Sequence, residues 1–318
     1  MKSLSVYLLA IFFITLNLRG QNVHFKNLNR QDGLSDNFVR VIYEDNYGYM
    51  WFGTTNGLNR FDGVEMKQFK RIVGDESSLA EANINDILQT SSNKLLVGYN
   101  SGLDVYNYKR EDFAKIEELK GVVVSKIVED DVGNIWIVTG NNLMLKFDKN
   151  LSQVKDFSFS TIIKNKFNIS TSSLNVYKYD DDNFIIYILN KGIYLFNVNS
   201  HAFTLKSNFI QLGSKPNKVL KINESEFWLA TSNGIFVIEN NDLKHHIKQG
   251  KSNKDLNNPF VRDLRRVGSN EIWVFTDGGG INVYNLTSKN FKYIRQNARI
   301  EILEQQVKKL TESISKIT

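Results

Sequence analysis

The sequence predicts an all-β fold, a β-propeller of about six four-stranded blades that is followed by a C-terminal α-helix, and three observations carry the prediction. Composition comes first. Two prolines and 20 glycines stand beside 21 Phe and 13 Tyr in 318 residues, which favours short aromatic strands joined by tight turns over long helices. Second, tryptophan recurs at one place: Trp51, Trp136, Trp228 and Trp273 are the only four, and each has threonine three residues on, at Thr54, Thr139, Thr231 and Thr276. Third, weaker copies at Leu96 and Ile186 complete a series of anchors at 51, 96, 136, 186, 228 and 273, with intervals of 40 to 50 residues. A period of that length made of short strands is one propeller blade per unit.

Taken in order, the chain begins with Lys2 and an apolar run from Leu4 to Leu16. That layout predicts a signal peptide over 1–20 with cleavage after Gly20, and hence a periplasmic or secreted protein; an uncleaved anchor is the alternative. Asn22 to Leu28 reads as a lone strand. In the first unit, Phe38 to Glu44 is expected as the inner strand, followed by Tyr49 to Thr55, Leu58 to Asp62 and Glu65 to Lys70. Asp45 to Gly48 supplies the first turn, and Asn56-Gly57 the second, with positive φ expected at both central residues. Trp51 is then a wedge packed between adjacent sheets.

Asn290 to Ile294 reads as the outer strand of the sixth unit, which leaves two arrangements open: six blades that close on themselves, or an incomplete seven-bladed ring. Beyond Gln296 the composition changes. Residues 297–318 contain no glycine, proline or aromatic residue, and Ile300, Leu303, Val307, Leu310, Ile314 and Ile317 form a heptad seam. A helix this short needs a partner to persist, either a second copy or the propeller's own open edge.

Chemistry is sparsely signalled. The chain has no cysteine, so thiolate metal sites, disulfides and thiol nucleophiles are excluded. The formal charge of +6 is spread among 34 acidic residues without a basic stripe, which argues against nucleic acid. His24, His201, His245 and His246 lack metal-ligand spacing, and His245-His246 is expected in an exposed loop. Asp180-Asp181-Asp182 sits at a hairpin turn and lacks the bidentate glutamate of a calcium loop. Asp277-Gly278-Gly279-Gly280 reads as a turn, with no Gly-Lys-Ser following it. No cofactor, metal or nucleophile is nominated.

The run "DGLSDNFVRVIYEDNYGYMWFGTTNGLNRFDG" (Asp32 to Gly63) resembles the two-component regulator propeller repeat, and "NNPFVRDLRRVGSNEIWVFTDGGGINVYN" (Asn257 to Asn285) resembles it again. The resemblance extends over about residues 22–296. It implies the periplasmic sensor region of a hybrid two-component system, often one that detects glycan fragments, and so a histidine kinase as partner. No kinase or receiver pattern follows residue 296, so no enzyme activity is expected, with a propeller hydrolase or lyase as the dissenting class.

A ligand of such a fold is expected where the loops entering the inner strands converge. Those loops carry Asp36, Asn37 and Arg40 in the first unit, Asn83 and Asn85 in the second, and Asn258 and Arg262 in the sixth. Their amide and guanidinium donors suit sugar hydroxyls and the acidic groups of an oligosaccharide. Capping of strand entrances is the competing role. The second functional class is a protein-binding scaffold.

Overall fold

A computed structural model describes residues 28–154, 158–170, 174–207 and 215–294. The expected signal peptide, the lone strand before Leu28, His24 and the heptad segment lie outside those residues. The first sheet is β1 (Val39–Glu44), β2 (Met50–Thr54), β3 (Gly57–Phe61) and β4 (Met66–Phe69), in that spatial order. The second is β5 (Ile84–Gln89), β6 (Leu95–Tyr99), β7 (Gly102–Asn107) and β8 (Asp112–Lys115).

The third sheet has three strands: β9 (Val124–Glu129), β10 (Ile135–Thr139) and β11 (Met144–Phe147). After it comes α1 (Phe159–Phe167). The fourth sheet is β12 (Leu174–Lys178), β13 (Asn183–Ile188), β14 (Gly192–Asn197) and β15 (Phe203–Ser207). The fifth is β16 (Lys218–Lys221), β17 (Glu226–Thr231), β18 (Gly234–Glu239) and β19 (Asp242–Ile247). The sixth is β20 (Val261–Val267), β21 (Glu271–Thr276), β22 (Gly280–Asn285) and β23 (Asn290–Ile294). Every pairing between these strands is antiparallel, and each of the six anchors falls on the second strand of its sheet. This is a six-bladed β-propeller.

The spacing from tryptophan to threonine has a physical cause at each end. Trp51, Trp136 and Trp228 are 0–2% exposed. Their indole N–H groups donate to acids of their own sheet: Trp51 to Asp45 at 2.7 Å, Trp136 to Asp130 at 2.9 Å and Trp228 to Glu226 at 2.7 Å. The threonine three residues on clamps the next hairpin. Thr54 Oγ1 donates to the Gly57 carbonyl at 2.9 Å and accepts from Asn56 N–H at 3.0 Å. Thr231 makes the same two bonds to Gly234 and Asn233.

This clamp corrects the expected turn type. Positive φ occurs at the second turn residue alone, Gly57 (+121°) and Gly234 (+97°), because Asn56 and Asn233 are held by threonine instead. At Gly234 a Cβ would lie 2.2 Å from the Ile247 carbonyl, so only glycine fits.

Five hydrophobic clusters lie between successive sheets. Trp51 and Leu58 meet Leu95 and Tyr106; Leu96 and Leu103 meet Ile127 and Ile135; Trp136 and Val128 meet Phe184 and Ile186; Ile185 and Tyr187 meet Phe227 and Leu229; Trp228 and Val237 meet Ile272 and Val274. Fully burying one such side chain contributes roughly 1.5–3 kcal/mol.

Three expectations need correction. Among the described residues the third sheet has no outer strand; a single bridge from Phe147 to Gln153 follows β11. Beside the expected elements there is α1, which is internal: Ser158 caps it, and Phe159 and Ile163 are buried in the cluster shared by the third and fourth sheets. His245-His246 lies in β19 rather than in a loop, with the His246 ring stacked on Phe236 at 3.9 Å. Trp273 is only partly buried, unlike the other three tryptophans. Among the described residues, no helix is long and apolar enough to cross a membrane.

Candidate functional site

The inner strands of the sheets surround a cavity of about 840 Å³. Phe38 and Arg40 line it from the first sheet, Lys126 from the third, Tyr177 and Lys178 from the fourth, Lys218 from the fifth, and Arg262, Asp263 and Asp277 from the sixth. Five cations therefore face two carboxylates. A concave low-dielectric wall of one sign concentrates field and attracts anions.

Local backbone geometry explains how the arginines get there. In β1 the register passes from Val39 opposite Thr54 to Val41 opposite Gly53, which leaves Arg40 as an extra residue. The same bulge recurs at Asn85, Ser125 and Arg262. A bulge bends the strand and re-aims the side chain it carries.

Most of the cations are tethered but accessible. Arg262 pairs with Asp277 at 2.8 Å, Lys218 with Asp263 at 3.4 Å, Lys178 with Asp181 at 3.2 Å and Lys126 with Asp86 at 2.6 Å; the cationic side chains are 40–61% exposed. Arg40 donates to a neutral partner, Asn83 Oδ1, at 2.9 Å. Exposed pairs such as Arg262–Asp277 contribute little to stability, so an anionic ligand can take over those cations at small cost, whereas the Asp86 partner of Lys126 is 3% exposed and holds its lysine more firmly.

The seven residues expected at the ligand divide accordingly. Arg40 and Arg262 line the cavity. Asn83 holds Arg40. The remaining four are structural in this geometry. Asp36 Oδ1 accepts from Phe38 N–H, Asn37 Oδ1 from Arg30 N–H and Asn258 Oδ1 from Phe260 N–H. Asn85 Nδ2 donates to the Val124 carbonyl and so ties the second sheet to the third; Asn217 does the same from the fifth sheet to Val261 of the sixth.

Lys126, Lys178 and Lys218 were missed. Their signal was present as a basic residue eight to eleven positions before the anchor in every unit except the second, which has Asn85 there.

The other chemical candidates dissolve into structure. Asp180 and Asp181 are engaged by Lys221 and Lys178. Among the described residues no group of three or more His, Asp or Glu is arranged to hold a metal ion.

A second cavity, of about 450 Å³, opens beside the second sheet and is lined by Asp104, Lys115 and the loop 71–76. Asp104 is 1% exposed and accepts from Ala80 N–H at 3.1 Å. Burial pushes its carboxyl above the ordinary value. A carboxyl whose folded pKa is raised stabilises the fold below its unfolded pKa, near 4, and loses that contribution as pH rises through the folded value. Asp104→Asn is therefore expected to raise Tm at pH 7 and to leave it unchanged near pH 3, read by thermal unfolding at the two pH values. A lower Tm at pH 7 would show that the charge itself is required.

Comparison with known proteins follows this geometry. Residues 33–56 match the family model described as two component regulator propeller. Histidine kinase P4 of Formosa agariphila is 35% identical over 83 residues, a stretch that is 25% of this chain and 6% of the kinase. The extracellular domain of a candidate one component system of B. thetaiotaomicron superposes with a TM-score of 0.66 at 20% identity, covering 86% of this chain and 38% of that one. Virginiamycin B lyase of Staphylococcus aureus gives 0.59 at 15% identity, covering 86% and 88%. The chain thus spans well under half the length of the first two, and the structural likenesses establish the fold they share. The stretch that matches the two component regulator propeller model, residues 33–56, includes the first two strands of a six-bladed propeller.

Proposed function

We propose that the protein is an extracytoplasmic sensor module that binds an anionic oligosaccharide, such as a uronate-bearing or sulfated glycan fragment, in its axial cavity and passes the signal to a histidine kinase. The observation that carries this reading is the convergence of Arg40, Lys126, Lys178, Lys218 and Arg262 from five different sheets on one cavity. Guanidinium and ammonium groups on a rigid scaffold suit carboxylates and sulfates by charge-assisted hydrogen bonds. Phe38, 66% exposed at the rim, and Tyr177 add aromatic surface against which a sugar ring can lie. The repeat match and the kinase relative support the signalling context.

Catalysis is not part of the proposal.

The test is titration of the protein with neutral, uronate-bearing and sulfated oligosaccharides, followed by calorimetry and thermal shift. Saturable binding of the anionic members, weakening as salt rises, is expected. Equal response to neutral sugars, or cleavage of any of them, would refute this reading. Co-purification of a protein with no response to sugars would favour the scaffold.

A further inference from the structure

Six sheets share five hydrophobic clusters, and none of the clusters described joins the sixth sheet to the first. The consequence is visible on the sixth sheet. One of its faces carries Ile272, Val274 and Tyr284 into the cluster with the fifth. The opposite face carries Trp273, with Arg265 and Val283 across from it, and Phe275, with Ile281 across from it.

Trp273 is built like Trp228. Each indole N–H donates to the glutamate two residues before, at 3.1 Å to Glu271 and 2.7 Å to Glu226. What differs is cover. Trp228 meets Tyr284 of the next sheet with ring centroids 5.0 Å apart, whereas Trp273 has Phe275 of its own strand at 6.5 Å. Nearby Val267 is 41% exposed. Val283 is 5% exposed while Trp273 and Val267 are not buried, so this face has the wedge of a sheet interface with only part of its cover.

We propose that residues 297–318 of the same chain form an amphipathic helix that covers this face. Three observations select that occupant. The segment starts three residues after Ile294, the end of β23 on this very sheet, so docking is intramolecular and its effective concentration is high, on the order of millimolar. Its seam of Ile300, Leu303, Val307, Leu310, Ile314 and Ile317 cannot stay in water as an isolated short helix, and a helix about 10–12 Å across suits the spacing of about 10 Å between packed sheets. The chain already uses the device elsewhere, since α1 follows the three-stranded third sheet and buries Phe159 and Ile163 beside Trp136.

Acrylamide quenching of tryptophan fluorescence tests the proposal in the full chain. Trp51, Trp136 and Trp228 are buried, so the quenchable emission belongs to Trp273. The parent should be monomeric in velocity sedimentation. Leu303→Asp combined with Leu310→Asp should raise the quenching constant and shift emission to the red, with loss of the tail's helical ellipticity and retention of the strand signal in circular dichroism. Identical quenching in parent and variant would overturn the proposal. So would quenching that falls with protein concentration as a dimer forms, which would assign the face to a second copy.

The cysteine-free chain allows an independent reading. Val267→Cys combined with Leu303→Cys, Val307→Cys or Leu310→Cys should, for at least one pair, give an intramolecular cross-link with a short bismaleimide. Cross-links only between chains, or none, would count against it.

Discussion

Trp51→Ala is expected to lower the unfolding free energy by about 3–5 kcal/mol, and Trp273→Ala by less than half as much once Leu303→Asp with Leu310→Asp displaces the tail. Trp51 stacks on Phe69 at 5.8 Å and meets Tyr106 edge-on at 5.0 Å across the first sheet interface. Its removal opens a cavity that the surrounding strands, pinned by their ladders, can only partly collapse into. The loss extends to polar groups. Asp45, 5% exposed, accepts from Trp51 Nε1, from the Tyr108 hydroxyl at 2.8 Å, and from Tyr47 and Tyr49 N–H at 2.9 Å each. Without the indole, a buried carboxylate loses one of its charge-assisted bonds. Trp273 keeps the equivalent bond to Glu271 but contributes less buried area. Urea denaturation of both variants in the tail-displaced chain measures the contrast; equal losses there would mean that the sixth sheet is as fully covered as the first without the tail.

Removing both bulge arginines is expected to separate binding from folding. Arg40→Ala with Arg262→Ala should weaken an anionic oligosaccharide by about 100-fold or more, taking roughly 1.5–3 kcal/mol for each charge-assisted contact. Stability should change by no more than about 0.5 kcal/mol, as is usual for exposed positions. The geometry explains the asymmetry. Arg262 is 61% exposed in its pair with Asp277, and Arg40 rests on Asn83 alone, so neither holds a core together. Calorimetric titration alongside thermal unfolding decides the matter. Unchanged affinity would move the ligand away from the axis.

The repeat was legible because its causes are local. An acid, a tryptophan and a threonine each serve the same hairpins within a few residues, so their spacing survives as a visible pattern. The departure of the described third sheet from four strands was less legible. The interval from Trp136 to Ile186 is the longest of the series, and its extra length holds α1, whose Phe159 and Ile163 could pass for strand residues until the packing is seen. The candidate site was half legible. Asp36, Asn37 and Asn258 are polar and lie before inner strands, yet backbone N–H groups use their carboxamide or carboxylate oxygens. Lys126, Lys178 and Lys218 belong to the cavity because five sheets bend around one axis, a long-range condition that no single stretch of sequence displays.

The extra residue that four of the six inner strands carry near their start leaves this molecule with interchangeable fingertips. Arg40, Asn85, Ser125 and Arg262 occupy positions that the ladder skips, so a change of identity there need not disturb a neighbouring hydrogen-bonded pair. Recognition can drift, or be rewritten in the laboratory, on a chassis whose mechanical integrity is specified elsewhere. The set of two arginines, an asparagine and a serine could become acidic or aromatic one position at a time, with Asn85, which also bridges to Val124, as the position that tolerates least.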